Sequence, residues 1–128
     1  MKKVWFSALF LSCFGLSHLA TAATLHDNMV TIATAYADFN KSTNANDASS
    51  ALTKMRMAAL DSKTSKPNKL KNQPDHSADV KAYQAGLDQL VAEIDKTSGL
   101  VKANQLAQAK VEGKNLLNIR NENHKKFK

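Results

Sequence analysis

Apolar side chains recur at steps of three and four residues in four stretches of this chain. The first stripe comprises Leu25, Met29, Ile32, Tyr36 and Phe39, and the second comprises Ala48, Leu52, Met55 and Ala59. The third comprises Val80, Tyr83, Leu87, Leu90, Ile94 and Val101. The fourth comprises Leu106, Ala109, Gly113, Leu117, Arg120, His124 and Phe127. Because this spacing puts each set on one side of an α-helix, the pattern predicts four amphipathic helices.

Polar segments and prolines separate the stripes. Residues 40–46 predict a short turn, and residues 62–77 predict a longer loop that contains Pro67 and Pro74. A third junction is predicted at Asn104, a residue type that tolerates the left-handed backbone conformation that ends helices. Two short connections and one longer loop are typical of neighbouring antiparallel helices. The sequence therefore predicts an all-α, up-down-up-down antiparallel four-helix bundle.

The N-terminus has the pattern of a secretory leader. Lys2 and Lys3 precede a mostly apolar segment that ends in the small-x-small sequence Ala20-Thr21-Ala22. We therefore expect residues 1–22 to be a cleaved signal peptide and residues 23–128 to be a single mature domain. A retained membrane anchor is the alternative, but polar and small residues interrupt the run of about 20 apolar residues that a span requires. The expected location is the periplasm, without membrane insertion after cleavage.

Composition narrows the class of function. The chain has 4 glycines, 2 prolines and 1 cysteine, and it lacks a Gly-rich phosphate loop and a G-x-S-x-G motif, so we do not expect an enzyme of a common kind. Lys and Arg number 18 against 11 Asp and Glu, for a net charge of +7. A positive net charge favours binding to nucleic acid, but the sequence has no nucleic-acid recognition motif. We therefore expect no nucleic-acid partner.

The predicted topology brings two unusual residues to the same end of the bundle. The first helix starts, and the last helix ends, at that end. Met29 lies six residues after Ala23 and His124 lies four residues before the C-terminus. At about 1.5 Å per residue, the two side chains would lie at similar depths. A thioether facing an imidazole is the axial ligand pair of many cytochromes. Spacing alone leaves the alternative open, in which Met29 fills the core and His124 is an ordinary interior or rim residue.

Three stretches of the chain carry a resemblance to a known family. They are Leu25-His-Asp-Asn-Met29, Ala51-Leu-Thr-Lys-Met-Arg-Met-Ala-Ala-Leu-Asp61 and Arg120-Asn-Glu-Asn-His124-Lys-Lys-Phe127. Residues 23–128 resemble the periplasmic cytochrome b562 family, which is itself a standard example of a short-loop four-helix bundle. The resemblance implies one noncovalent haem b per chain, with Met29 and His124 as iron ligands, and soluble electron transfer in the periplasm. Covalent attachment is excluded because the chain has no C-x-x-C-H sequence.

The helical phase and the resemblance together predict the residues around the haem. These residues are Ile32, Tyr36, Pro67, Tyr83, Leu87, Leu117, Arg120 and Asn121. Lysines of the long loop and of the C-terminus would surround the same end as a basic collar, comprising Lys63, Lys66, Lys69, Lys71, Lys125, Lys126 and Lys128. Such a collar favours an acidic redox partner, although an ordinary solvated surface is the alternative. We expect a monomer.

Two other interpretations place different chemistry at this end. A haem-free periplasmic metal-binding or stress-related bundle would use His26, His76 and His124 to bind Zn²⁺ or Cu²⁺. A haem protein could also use His26 in place of Met29, since these residues lie three apart on one helix face. Peroxide turnover would need a vacant iron position, so with two protein ligands we expect an electron carrier and no enzyme.

Overall fold

A computed structural model describes residues 23–128, and the predicted signal peptide lies outside the described residues. The helices are α1 (Leu25–Lys41), α2 (Ala45–Ser62), α3 (Ala78–Lys102), α4 (Leu106–Glu112) and α5 (Lys114–Phe127), with a 3₁₀ turn at Asn68–Leu70. α1 packs on α2, α2 on α3, and α3 on α4 and α5. Because α4 and α5 follow each other directly, they form the fourth helix, and the predicted up-down-up-down bundle is confirmed.

Side-chain caps fix where the first three helices begin. The Thr24 hydroxyl accepts from the Asp27 N–H while the Asp27 carboxylate accepts from the Thr24 N–H, both at 3.1 Å. Asn44 caps α2 through the Asp47 N–H at 2.9 Å, and Ser77 caps α3 in the same way. Such a cap stabilises a helix by about 1 kcal/mol. The third junction also forms as predicted, with the backbone of Asn104 in the left-handed region at φ 60°.

The main core begins at the end of the bundle where α1 meets the α4–α5 junction and reaches Ile32 and Leu90 in the middle. Phe39 is fully buried there. A Cβ atom added at Gly113 would lie 2.6 Å from a ring carbon of Phe39, so the absence of a side chain at Gly113 lets the two helices approach. Ala48 and Ala51, near the start of α2, are buried at this end, and Ala58 and Ala59 belong to the same core but lie nearer the other end of α2. We call the end that holds Phe39 and Gly113 the closed end.

The fourth helix departs from its predicted phase at Gly113. Leu116 is buried with only 1% of its surface exposed, whereas the predicted core residue Leu117 is partly buried. The Leu116 N–H donates to the Gly113 carbonyl three residues earlier, at 3.1 Å. A 3₁₀-type step has 3.0 residues per turn instead of 3.6, so the inward position that follows Gly113 comes one residue earlier, at Leu116. The placement of Leu117 on the inward stripe is therefore wrong.

A second, smaller core lies at the opposite end, beneath the loop between α2 and α3. It comprises Leu70, Val80, Tyr83 and Leu87, with Leu25 and Phe127 packed against it. The rings of Tyr83 and Phe127 meet edge to face with their centroids 5.6 Å apart. The Tyr83 hydroxyl donates to the Ser62 carbonyl at 2.9 Å, and burial raises the pKa of Tyr83 to about 12. We call this end, where α1 begins and α5 ends, the open end.

Between residues 23 and 128, no helix is both long enough and apolar enough to cross a membrane.

Candidate functional site

A cavity of about 460 Å³ opens at the open end of the bundle. α1, α3, α5 and the loop between α2 and α3 form its walls. Its volume is in the range of small-molecule and cofactor sites, and most of its wall is apolar. The cavity exists because the fourth helix meets α1 at Gly113 but runs alongside α3, and not α1, towards the C-terminus.

α1 supplies one wall of the cavity. Leu25, His26, Met29 and Ile32 all line it, which follows from their three- and four-residue spacing on one helix face. Met29 is partly buried against the main core, and Ile32 is buried. Because Thr24 caps the helix immediately before Leu25, Met29 lies in the second turn of α1 and its thioether is available to the cavity.

α5 supplies another wall. Arg120, Asn123, His124 and Phe127 line the cavity at the same three- and four-residue spacing. His124 is exposed to solvent, and Phe127 is partly buried against the smaller core. The structure therefore places a thioether from the beginning of the described chain and an imidazole from its end at the walls of one cavity.

α3 and the loop complete the enclosure. Tyr83, Leu87 and Leu90 line the cavity from α3 and are buried. Pro67 and its neighbours approach from the loop. Because the Tyr83 hydroxyl is bonded to the Ser62 carbonyl, this residue offers its ring to the cavity while its polar group is satisfied elsewhere.

The charged side chains of the lining are all cationic. They are Lys66, Lys69, Arg120 and Lys128. Lys66 forms an ion pair with the exposed Asp75, and this contact holds the pKa of that carboxyl below its usual value. The Lys69 ammonium donates to the Lys126 carbonyl at 3.2 Å, which ties the loop to the last turn of α5. The mouth of the cavity therefore suits a ligand that has an apolar body and acidic edges.

The structure separates the predicted pocket residues into two groups. The cavity is lined by Met29, Ile32, Pro67, Tyr83, Leu87, Arg120 and His124. It is not lined by Tyr36, Leu117 or Asn121. Tyr36 lies one turn beyond Ile32, towards the closed end, and packs against the main core. The 3₁₀ step removes Leu117 from the inward face, and Asn121 is exposed. These three residues do not line the cavity, and their contact with a haem stays a prediction.

Other lining residues were absent from the predicted pocket. Leu25, Leu90 and Phe127 belong to the predicted stripes, so extending each stripe to the open end would have found them. No such signal marked Asn123, because its side chain is polar and faces the cavity only after the change of helical phase at Gly113. Asn28 is a further buried polar residue near this end, and its amide donates to the Asp61 carboxylate at 2.7 Å.

The three-histidine metal site does not form in the described part of the chain. No three side chains of His, Cys, Asp or Glu among residues 23–128 are arranged to hold a metal ion. His26 and His124 line the cavity, but His76 does not. The side chains of the cavity wall that commonly bind haem iron are the thioether of Met29 and the imidazoles of His26 and His124.

These residues fit a haem group. An apolar wall suits a porphyrin ring, thioether and imidazole are common ligands of haem iron, and cations at the mouth suit its carboxylate edges. The fold and the cavity together define a helical-bundle haem protein.

Comparison with known proteins identifies the family. A family model described as cytochrome b562 matches residues 24–128. A protein of Yersinia pestis named "Probable soluble cytochrome b562 2" is 31% identical over 128 residues, the full length of both chains. A second Yersinia pestis protein, "Probable soluble cytochrome b562 1", is 32% identical over 96% of this chain and 92% of its own length. The chain belongs to the cytochrome b562 family, whose members are haem-binding electron-transfer proteins.

Proposed function

We propose that the chain carries one noncovalent haem b and transfers single electrons in the periplasm, with Met29 and His124 as the two iron ligands. One observation carries the proposal. Met29 from α1 and His124 from α5 line the same largely apolar cavity, and the charged side chains around it are cationic. The match of residues 24–128 to the cytochrome b562 family supports it independently.

When bound, the haem supplies reversible one-electron chemistry at iron. The chain's own residues bind and tune it. Met29 and a neutral His124 would hold the iron, and methionine ligation favours the reduced state. Ile32, Leu87 and Leu90 exclude water from the ring. Since ligands on packed helices move little, we expect oxidation and reduction to change the structure only slightly.

Two protein ligands make this chain an electron carrier and not an enzyme, because they leave the iron no position for a substrate. A single chain supplies both ligands, so we propose that the protein acts as a monomer. His26, one turn before Met29 on the same wall, is the competing ligand. The Met29→Ala variant separates the two, since only ligation by His26 would survive it.

The cationic mouth supports an acidic redox partner. Arg120, Lys66, Lys69 and Lys128 would first neutralise the haem carboxylates, and Lys125 and Lys126 are exposed beside them. Complementary charge raises association rates and makes them depend on ionic strength. We expect electron transfer with an acidic carrier to slow as salt is added, and transfer that is insensitive to salt would contradict this part of the proposal.

The function is tested by expressing the full chain in a bacterium and fractionating the cells. We expect coloured protein in the periplasmic fraction, starting at Ala23, with the reduced absorption bands of a b-type haem and one haem per chain. Protein that stays colourless after titration with hemin would refute haem binding. Coloured protein retained in the membrane or cytoplasm would refute the proposed location alone.

A further inference from the structure

Asn123 of α5 packs against Gly86 of α3. The Asn123 amide donates to the Gly86 carbonyl at 3.2 Å. A Cβ atom added at Gly86 would lie 2.1 Å from the Asn123 Oδ1 atom and 2.6 Å from its Cγ atom. Another glycine of the same helix, Gly99, has nothing within 4 Å of its added Cβ. Gly86 therefore makes room for one particular side chain of α5.

This contact lies where α5 has few other supports. The last residue of α5 that is buried in the main core is Ile119, and the next apolar contact is Phe127 against Tyr83. Between them, α5 borders the cavity on the side of α1, so α3 is its main support. Asn123 is thus the polar anchor of a turn that otherwise faces open space.

His124 directly follows Asn123. Consecutive helical residues point about 100° apart, so any rotation or shift of the helix that moves one of these side chains moves the other. Asn123 itself lines the cavity and is partly buried. The position of the imidazole therefore depends on the distance between α5 and α3 at Gly86.

We propose that Gly86 and Asn123 are positioning residues, which clamp the last two turns of α5 to α3 and thereby place His124 for iron binding. This inference rests on the proposed function, in which His124 is a haem ligand. Asn123 lines the cavity but Gly86 does not, so a change at Gly86 reaches the cavity only through α5 and its His124. It goes beyond haem binding itself, because it assigns the position of one iron ligand, His124, to a contact between α3 and α5.

The Gly86→Ala variant breaks the clamp without emptying the core. The clashing atoms belong to the end of a flexible side chain, so Asn123 can rotate away and the bundle stays folded. We expect haem to dissociate roughly tenfold faster, which is the scale of adding one methyl group to a packed contact. We also expect part of the low-spin absorption of the loaded protein to become high-spin. Gly99→Ala, in the same helix with open space around it, is the matched control and should change neither quantity.

The Asn123→Ala variant removes the hydrogen bond and leaves the space beside Gly86 empty. We expect the same gain of high-spin absorption and a shift of the reduction potential. Asn118→Ala, an exposed asparagine of the same helix, is its control. In the Asn123→Ala background, adding Gly86→Ala should have little further effect, because the clashing partner is gone. Such non-additivity is the signature of two residues that act as one unit.

Unchanged spectra and potential in both single variants would overturn the clamp, as would effects on the spectra that simply add. Urea unfolding of the haem-free variants guards against a merely structural effect, since a folding defect would lower the unfolding midpoint in parallel with the spectral change. His124→Ala distinguishes this inference from the proposed function. If His124→Ala abolishes the low-spin spectrum while Gly86→Ala and Asn123→Ala leave it intact, only the clamp is wrong. If His124→Ala leaves it intact, the ligand assignment itself is wrong.

Discussion

The two ends of this bundle are built from the same helices but packed differently. At the closed end, Phe39 is fully buried against Gly113, and Ala48 and Ala51 of α2 are buried in the same core. At the open end, the core is a separate cluster of four buried residues under a loop, beside a cavity of about 460 Å³. The main core, which reaches from the closed end to the middle of the bundle, contains most of the buried apolar residues. The open end therefore has room for a ligand.

The largest effect should come from the closed end. Replacing Phe39 with alanine leaves a space where the ring meets Gly113 and the main core. We expect the free energy of unfolding of the haem-free protein to fall by about 3–5 kcal/mol, the usual cost for a buried phenylalanine. Urea unfolding followed by circular dichroism measures it. A loss below about 1 kcal/mol would contradict the assignment of this end as the stabilising one.

A truncation at the open end should cost less. Leu87 is buried, but it borders the cavity and so has fewer neighbours to lose. For Leu87→Ala we expect a loss of about 2 kcal/mol in the haem-free protein, at the lower limit for leucine. Haem affinity should fall as well, which hemin titration measures. If the haem-free protein is destabilised as much as by Phe39→Ala, the two ends do not differ in the proposed way.

Overpacking the closed end tests the contact at Gly113. The added methyl group of Gly113→Ala would lie 2.6 Å from the Phe39 ring, which is itself fully buried and has little room to move. We expect a loss of about 1–3 kcal/mol in the free energy of unfolding. Gly99→Ala is the control with the opposite sign, since an alanine at an open helical position stabilises by up to about 1 kcal/mol. Equal effects at both glycines would refute the close contact.

The smallest effect concerns the polar bond that closes the open end. Tyr83→Phe removes the hydrogen bond to Ser62, for an expected loss of about 1 kcal/mol near neutral pH. Burial raises the pKa of Tyr83 to about 12 from its ordinary value of 10.0, so the folded protein favours the protonated hydroxyl. The contribution of Tyr83 to the free energy of unfolding is therefore complete below pH 10 and is lost as the pH rises from 10 towards 12.

Urea unfolding of the wild type and Tyr83→Phe between pH 8 and about 12 isolates this contribution, because other titrating groups are common to both proteins. The wild type should lose stability more steeply than the variant above pH 10. Parallel curves would show that Tyr83 titrates as an exposed tyrosine does.

Much of the fold followed from the spacing of apolar residues, because a helix in a bundle must bury one face. The same topology predicted that Met29 and His124 would lie at one end, since the first and fourth helices have their outer termini there. The phase of α5 could not be predicted. It depends on a 3₁₀ step at Gly113, the residue that packs against the Phe39 ring in the folded bundle.

The depth of the cavity also could not be predicted from the sequence. Tyr36 continues the stripe of Met29 and Ile32, and nothing in that stripe marks where the cavity ends and the main core begins. Likewise, the buried bond from Asn28 to Asp61 depends on the register of α1 against α2, which hydrophobic spacing does not determine. Hydrogen bonds between polar side chains of different helices could therefore be identified only from the structure.

The central claim is that one sulfur from α1 and one imidazole from α5 hold the haem iron, and hemin titration of ligand variants tests it most directly. Wild-type protein should bind one haem per chain with a six-coordinate low-spin spectrum, and His76→Ala, at an exposed position outside the cavity, should behave identically. Met29→Ala and His124→Ala should each lose that spectrum and weaken binding by on the order of a hundredfold, since changes to residues that merely support a ligand already cost 10–100-fold. A low-spin spectrum that survives in Met29→Ala and disappears only when His26 is also replaced would contradict the account.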